Sequence, residues 1–177
     1  MRYAVLLTLD DITTGIVDGI SNHIEAVHPQ PQRADREIRP HVTLGACAEL
    51  DIARCEAVLL DLASAPPIAC RFDSLGAFIS DPAVVFAAPV VTTGLLALHD
   101  RFHDRFGQIA SEQSSFYLPG RWMPHCTLAE GLPLAILPEA IRVASRSGLP
   151  LIATFTAIQI VEIPTARILR TCRFTAV

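Results

Sequence analysis

The sequence contains no lysine: all fourteen of its basic residues are arginine. A P-loop lysine, a Schiff-base amine and a lysine that carries a nucleotidyl group in an ATP-dependent ligase are therefore excluded. Aromatic residues make up only 6% of the chain, although 51% of it is hydrophobic. The longest apolar run, about Ala83 to Val91, falls well short of the roughly eighteen residues that a membrane-crossing helix needs. The stretch from Met1 turns acidic at Asp10 and Asp11, too soon for a secretion signal, which predicts a cytoplasmic protein with no membrane partner. Five cysteines (Cys47, Cys55, Cys70, Cys126 and Cys172) stand at irregular spacings with no Cys-x-x-Cys. They read as reduced core thiols, and neither a disulfide framework nor a metal site is predicted from them. A net charge of −4 argues against a footprint on extended duplex nucleic acid, while a small anion held by a few arginines stays open.

What is present is a repeated pattern. Pro40-His41-Val42-Thr43-Leu44 returns as Pro124-His125-Cys126-Thr127-Leu128, with the histidines 84 positions apart. Each copy reads as the start of a strand, where residues i and i+2 share a face. His41 and Thr43 then point one way and Val42 and Leu44 the other; His125 and Thr127 likewise oppose Cys126 and Leu128. The competing reading, two unrelated half-buried histidines, is weakened because both flanking residues repeat with the motif.

Taken in order, residues 3 to 9 predict a buried strand, and Asp10-Asp11 opens a helix through Ile12, Ile16, Ile20, Ile24 and Val27. A polar loop over residues 29 to 39 carries Arg33, Arg36 and Arg39 ahead of the first motif. A second helix is expected from Glu49 to Ala63, then strands from Ile68 to Ile79 and Ala83 to Val91 joined at Ser80-Asp81-Pro82. A third helix follows from Thr92 to Ala110, the second motif strand, a fourth helix from Leu134 to Ser147, and strands over Leu151 to Ile163 and Ala166 to Val177. At 177 residues this suits one domain. Each half repeats strand, helix, motif strand, helix, strand. The pattern reads as an internal duplication with lobes of about 1–82 and 83–177, a boundary that an exchange of terminal strands would blur.

The third helix carries His99 and His103 on one face. With no third ligand at a clear spacing, they read as part of a solvated, charge-laced face. The loop before the second motif carries Phe116, Tyr117, Arg121 and Trp122; its aromatics either stack on a base or close the core.

Two His-x-Thr-x motifs about eighty residues apart in such a chain resemble the 2H phosphoesterase superfamily. The resemblance is strongest to its bacterial members similar to 2'-5' RNA ligases and RNA 2',3'-cyclic phosphodiesterases. It covers essentially the whole chain, including the hairpin between Phe72 and Val90 and the run from Phe116 to Trp122. It implies an α/β (α+β) fold of two pseudo-symmetric lobes, with antiparallel-rich sheets around a central cleft and helices outside. It also implies phosphodiester chemistry without metal, ATP or other cofactor. Carried over, the catalytic residues are His41 and His125 and the phosphate-binding residues Thr43 and Thr127; Arg39, Tyr117, Arg121 and Trp122 are candidates for substrate contact. Two imidazoles suit the task, since one can take a proton from water while the other gives one to the leaving alkoxide. Ligase-like members often place a basic residue soon after the second motif, where this chain has Ala129-Glu130-Gly131. That departure favours a small nucleotide cyclic phosphate or a short RNA end over a long RNA, with the protein a monomer. The alternatives are a small derivative such as ADP-ribose cyclic phosphate as substrate, a nucleotide- or RNA-binding module without turnover, and a metal hydrolase built on His99 and His103.

Overall fold

The chain begins with strand β1 (Tyr3–Leu9), every residue of which is buried. Asp10 then caps helix α1 (Asp11–Val27): one carboxylate oxygen accepts the Thr13 N–H at 2.8 Å, the other the Thr13 hydroxyl at 2.8 Å and the Thr154 N–H at 2.9 Å. A computed structural model gives the fold of residues 1–29 and 38–175; Arg33 and Arg36 lie outside the described residues. Next come β2 (His41–Cys47), β3 (Glu49–Leu50), α2 (Ile52–Ala63), β4 (Ile68–Phe78), β5 (Ala83–Pro89), α3 (Thr93–Phe106), β6 (Ala110–Ser111), β7 (Cys126–Leu132), α4 (Leu137–Ala144), β8 (Leu151–Glu162) and β9 (Arg167–Arg173).

The expected order of strands and helices holds, with four corrections. The third helix, expected to run to Ala110, ends at Phe106, and Ala110 opens β6. The segment predicted as helix from Glu49 begins as β3, which pairs with β6 in a small two-stranded ladder, and the helix starts only after the Asp51 cap. The segment from Leu134 opens with a 3₁₀ turn before α4. On α1 the row Ile12, Ile16, Ile20, Ile24, Val27 does not face the core throughout: Ile12 and Val27 are 79% and 50% exposed, whereas Val17, Ile20 and Ile24 are buried. Steps of four residues advance about 40° beyond a full turn, so such a row drifts off the buried stripe.

Seven strands form one antiparallel sheet in the order β2-β1-β8-β4-β5-β7, with β9 also on β8. Strand β8 is the spine. Its Phe155 pairs with Leu9 on one edge and Ile68 on the other, and β9 takes over the β4 edge from Ala157 onward. Helices α1 and α4 pack together beside β7 and β5, and α2 with α3 beside β8 and β9. The main core lies under these helices and includes Val5, Leu7, Val42, Leu44, Cys126 and Leu128. The opposite sheet face carries a second, smaller cluster: Ala4, Leu6, Ala46 and Val161, with Ile38, Tyr117 and Ile168 packed against it. Although β2 and β7 end the strand order, they approach each other, because the sheet curls around this face.

Candidate active site

Both motif strands alternate as their sequences predict. Val42, Leu44, Cys126 and Leu128 are buried, while His41, Thr43, His125 and Thr127 are half-buried on the concave face. All four line one cleft of about 1080 Å³, floored by Ala4, Leu6, Ala46 and Val161.

The alternation breaks at the same motif position in both strands. Leu6 pairs with Thr43 and Val5 with Gly45, which leaves Leu44 as an extra, bulged residue; Phe86 pairs with Thr127 and Val85 with Ala129, which leaves Leu128 extra. A bulge reverses which parity faces inward. Ala46 and Glu130 therefore join the cleft, three residues after each threonine, where strict alternation would have pointed the flanking positions there.

The two histidines are held alike. The Nδ1–H of His41 donates to the Arg39 carbonyl at 2.8 Å, and the Nδ1–H of His125 to the Met123 carbonyl at 2.8 Å. A carbonyl only accepts, so each neutral ring carries its proton on Nδ1 and its basic lone pair on Nε2. Their surroundings differ. His125 meets Phe78 edge-on at 4.9 Å and Phe86 at 5.3 Å, and burial among these rings lowers its pKa below the usual imidazole value, the Met123 bond offsetting only part. Tyr117 also lines the cleft; burial raises its phenol pKa, partly offset by a hydrogen bond with Thr43.

The remaining candidates separate. Arg121 lines the cleft and, among the described residues, has no carboxylate partner. The exposed ring of Phe116 lines it too. Arg39 is turned away, its guanidinium on Asp11 and the Thr14 hydroxyl, and reaches the site only through its carbonyl. Trp122 lies behind the wall: it packs on the core and its indole N–H donates to the Thr43 carbonyl at 2.8 Å. The loop aromatics thus divide, Trp122 closing the core and Phe116 facing the cleft.

His99 and His103 do not form a solvated face. His99 is 1% exposed, lies flat on Trp122 at 4.0 Å and donates from Nε2 to the Tyr117 carbonyl at 2.9 Å. His103 donates from Nε2 to the Leu44 carbonyl at 3.0 Å. Burial, with the neighbouring His103, pushes the His99 pKa down to about 4, and burial also lowers that of His103. The charged residues of α3 that face solvent are Asp100, Arg101, Asp104 and Arg105. A signal was legible: both histidines fall within the apolar row of Leu95, Leu98, Phe102 and Phe106. Among the described residues no group of three or more histidine, cysteine or carboxylate side chains could hold a metal ion. The five cysteines are buried in the core as thiols, with no disulfide among them.

A family model described as the 2'-5' RNA ligase superfamily matches residues 16–166. The chain belongs to this superfamily. Solved structures with the same fold agree. LigT of E. coli, complexed with 3'-AMP, superposes with a TM-score of 0.63 at 20% identity over 99% of this chain and 98% of that one. A Thermus thermophilus protein gives 0.63 at 19% identity over 98% of both chains, and a phosphoesterase gives 0.60 at 19% over 99% and 98%. A search of curated proteins finds no significant match. In the superfamily's terms the chain is a phosphoesterase- or ligase-type enzyme, with a mixed α+β fold in which the described residues form four α-helices on an antiparallel sheet.

Proposed function

We propose that this protein is a metal- and ATP-independent phosphodiesterase that opens a 2',3'-cyclic phosphate or cleaves a 2'-5'-linked nucleotide end. The observation that carries the reading is the matched pair of histidines in one cleft, each with Nδ1–H tied to a carbonyl two residues back and a threonine two residues ahead. In this reaction water attacks phosphorus in line with the departing ribose oxygen. One Nε2 takes the water's proton and the other imidazolium protonates the alkoxide, each step supplying on the order of 10²- to 10⁴-fold. Burial lowers the His125 pKa and so favours its neutral form, which suits the base. The hydroxyls of Thr43 and Thr127 donate to the non-bridging oxygens as charge builds, and losing one such donor costs roughly 3 kcal/mol. Ligation follows when a ribose 5'-hydroxyl takes the place of the attacking water, one histidine accepting its proton and the other protonating the departing ring oxygen.

Substrate contact falls to Arg121, Tyr117 and the Phe116 ring, which line the cleft. Among the described residues Arg121 is the one arginine in that lining, which suits one phosphoryl group on a small nucleotide. The solved relatives fit this reading: structures of E. coli LigT hold 3'-AMP, NADP⁺ and ATP. A small nucleotide derivative such as ADP-ribose cyclic phosphate is the second substrate class to try.

The test is hydrolysis of adenosine 2',3'-cyclic phosphate and of a short RNA with a cyclic end, in EDTA, by wild type, His41→Ala and His125→Ala. Turnover that survives the chelator and falls about a hundredfold or more in each variant supports the reading. Tight binding without turnover by wild type would instead make the protein a binding module.

A further inference from the structure

Strand β2 ends the path of the sheet, and among the described residues no strand pairs along its outer edge. The bulge at Leu44 removes a residue from the ladder on the inner edge as well. A buried carbonyl left unpaired costs about 1–3 kcal/mol, and a bulge without partners is free to slip its register. Here the partners are side chains. The indole N–H of Trp122 meets the Thr43 carbonyl at 2.8 Å and His103 Nε2–H meets that of Leu44 at 3.0 Å, so two donors grip successive residues of the bulge. His99 braces both: its ring is parallel to Trp122 within 7° and 4.4 Å from that of His103, while its Nε2–H fastens the Tyr117 carbonyl at 2.9 Å. The Tyr117 phenol in turn meets Thr43. Gly45 makes room for the arrangement, because a β-carbon there would lie 2.9 Å from the Phe102 ring.

We propose that Trp122 and His103, braced by His99, are positioning residues that clamp the Leu44 bulge and thereby fix the direction of the Thr43 hydroxyl into the cleft. They touch no substrate. They act on Thr43 through its own backbone, and the proposal rests on the functional reading above for what that hydroxyl does. Misplacing a reacting group by about 1 Å can cost on the order of a hundredfold in rate, so a clamp of this kind acts on turnover.

Trp122→Phe removes the indole N–H and keeps a ring on His99; His103→Leu removes its donor, and His103→Gln restores an N–H. Each is assayed on adenosine 2',3'-cyclic phosphate in EDTA, beside native-state hydrogen exchange resolved by residue. Expected are a kcat reduced about ten- to a hundredfold in Trp122→Phe and His103→Leu with KM changed by less than about twofold, and substantial recovery in His103→Gln. Exchange should quicken at 43–46 and stay unchanged in β4, β5 and β8. Full turnover in both deletion variants, no recovery with glutamine, or faster exchange throughout the sheet would overturn the proposal. Should wild type itself leave the substrate intact, the functional reading fails and exchange alone decides. Local loss at 43–46 that glutamine restores upholds the clamp, and unchanged protection refutes it.

Discussion

The ring of Phe86 occupies the space over Gly76, its cross-strand partner: a β-carbon at position 76 would lie 2.4 Å from two of its ring carbons. Phe86 also meets Phe78 at 4.7 Å with the rings tilted by 38°, and both rings flank His125. A glycine on β4 thereby sets the surroundings of the histidine immediately before β7. Gly76→Ala should push Phe86 toward the cleft, cost about 1–3 kcal/mol of stability by overpacking, and move the His125 pKa upward as water reaches the ring. Denaturant unfolding and a proton NMR titration of the His125 ring measure the two effects.

His99 makes the protein sensitive to mild acid. Its folded pKa of about 4 lies below the usual 6.5, so the unfolded chain binds the extra proton first. Stability is complete above pH 6.5 and declines as pH falls from there toward 4, by roughly 3 kcal/mol in all for a shift of this size. His103 and Asp100, the charged neighbours on α3, modulate the curve. His99→Gln should flatten this decline, as followed by denaturant melts between pH 7 and 4.

Arg121 and Arg39 are both near the motifs in sequence but differ in space. Arg121→Ala should raise KM for a cyclic nucleotide by about tenfold, the loss of one charge-assisted contact. Arg39→Ala should leave KM unchanged, since that guanidinium faces Asp11 and Thr14. Steady-state kinetics of the two variants side by side checks the assignment.

Asp10 ties α1 to β8. Burial alone would raise its pKa, but bonds from Thr13 and Thr154 outweigh burial and lower it. The stabilisation is present above the unfolded value near 3.8 and vanishes as pH falls through the lower folded one. Asp10→Asn should cost less than Asp10→Ala, for which a cap loss of about 1–2 kcal/mol is expected at pH 7. Thermal melts of wild type and both variants at pH 7 and 3 would show each variant's loss relative to wild type shrink in acid.

Much of this was legible before any coordinates. The order of strands and helices, the Asp10 start of α1 and the faces of the two motif strands follow from spacing, because helix and strand periods are local properties of the backbone. The buried His99 and half-buried His103 read as solvated in sequence because the charged neighbours at 100, 101, 104 and 105 mark the outer face of the helix. Phe78, Phe86 and Gly76 gave no signal, since their role depends on a strand pairing that reaches from β4 across β5 to β7.

The sequence alone therefore determined which side chains could act: two imidazoles and two hydroxyls, each pair on one face of its strand, in a chain without a lysine. Tertiary structure decided which of them meet and what surrounds each. It set β2 and β7 at opposite ends of the strand order yet against each other, turned Ala46 and Glu130 inward at the two bulges, and assigned Phe116 to the cleft and Trp122 to the core. The physical reason is range. A side chain's face follows from a few neighbouring dihedral angles, whereas bulges, burial and hydrogen-bond partners depend on strands that the chain brings together from positions far apart.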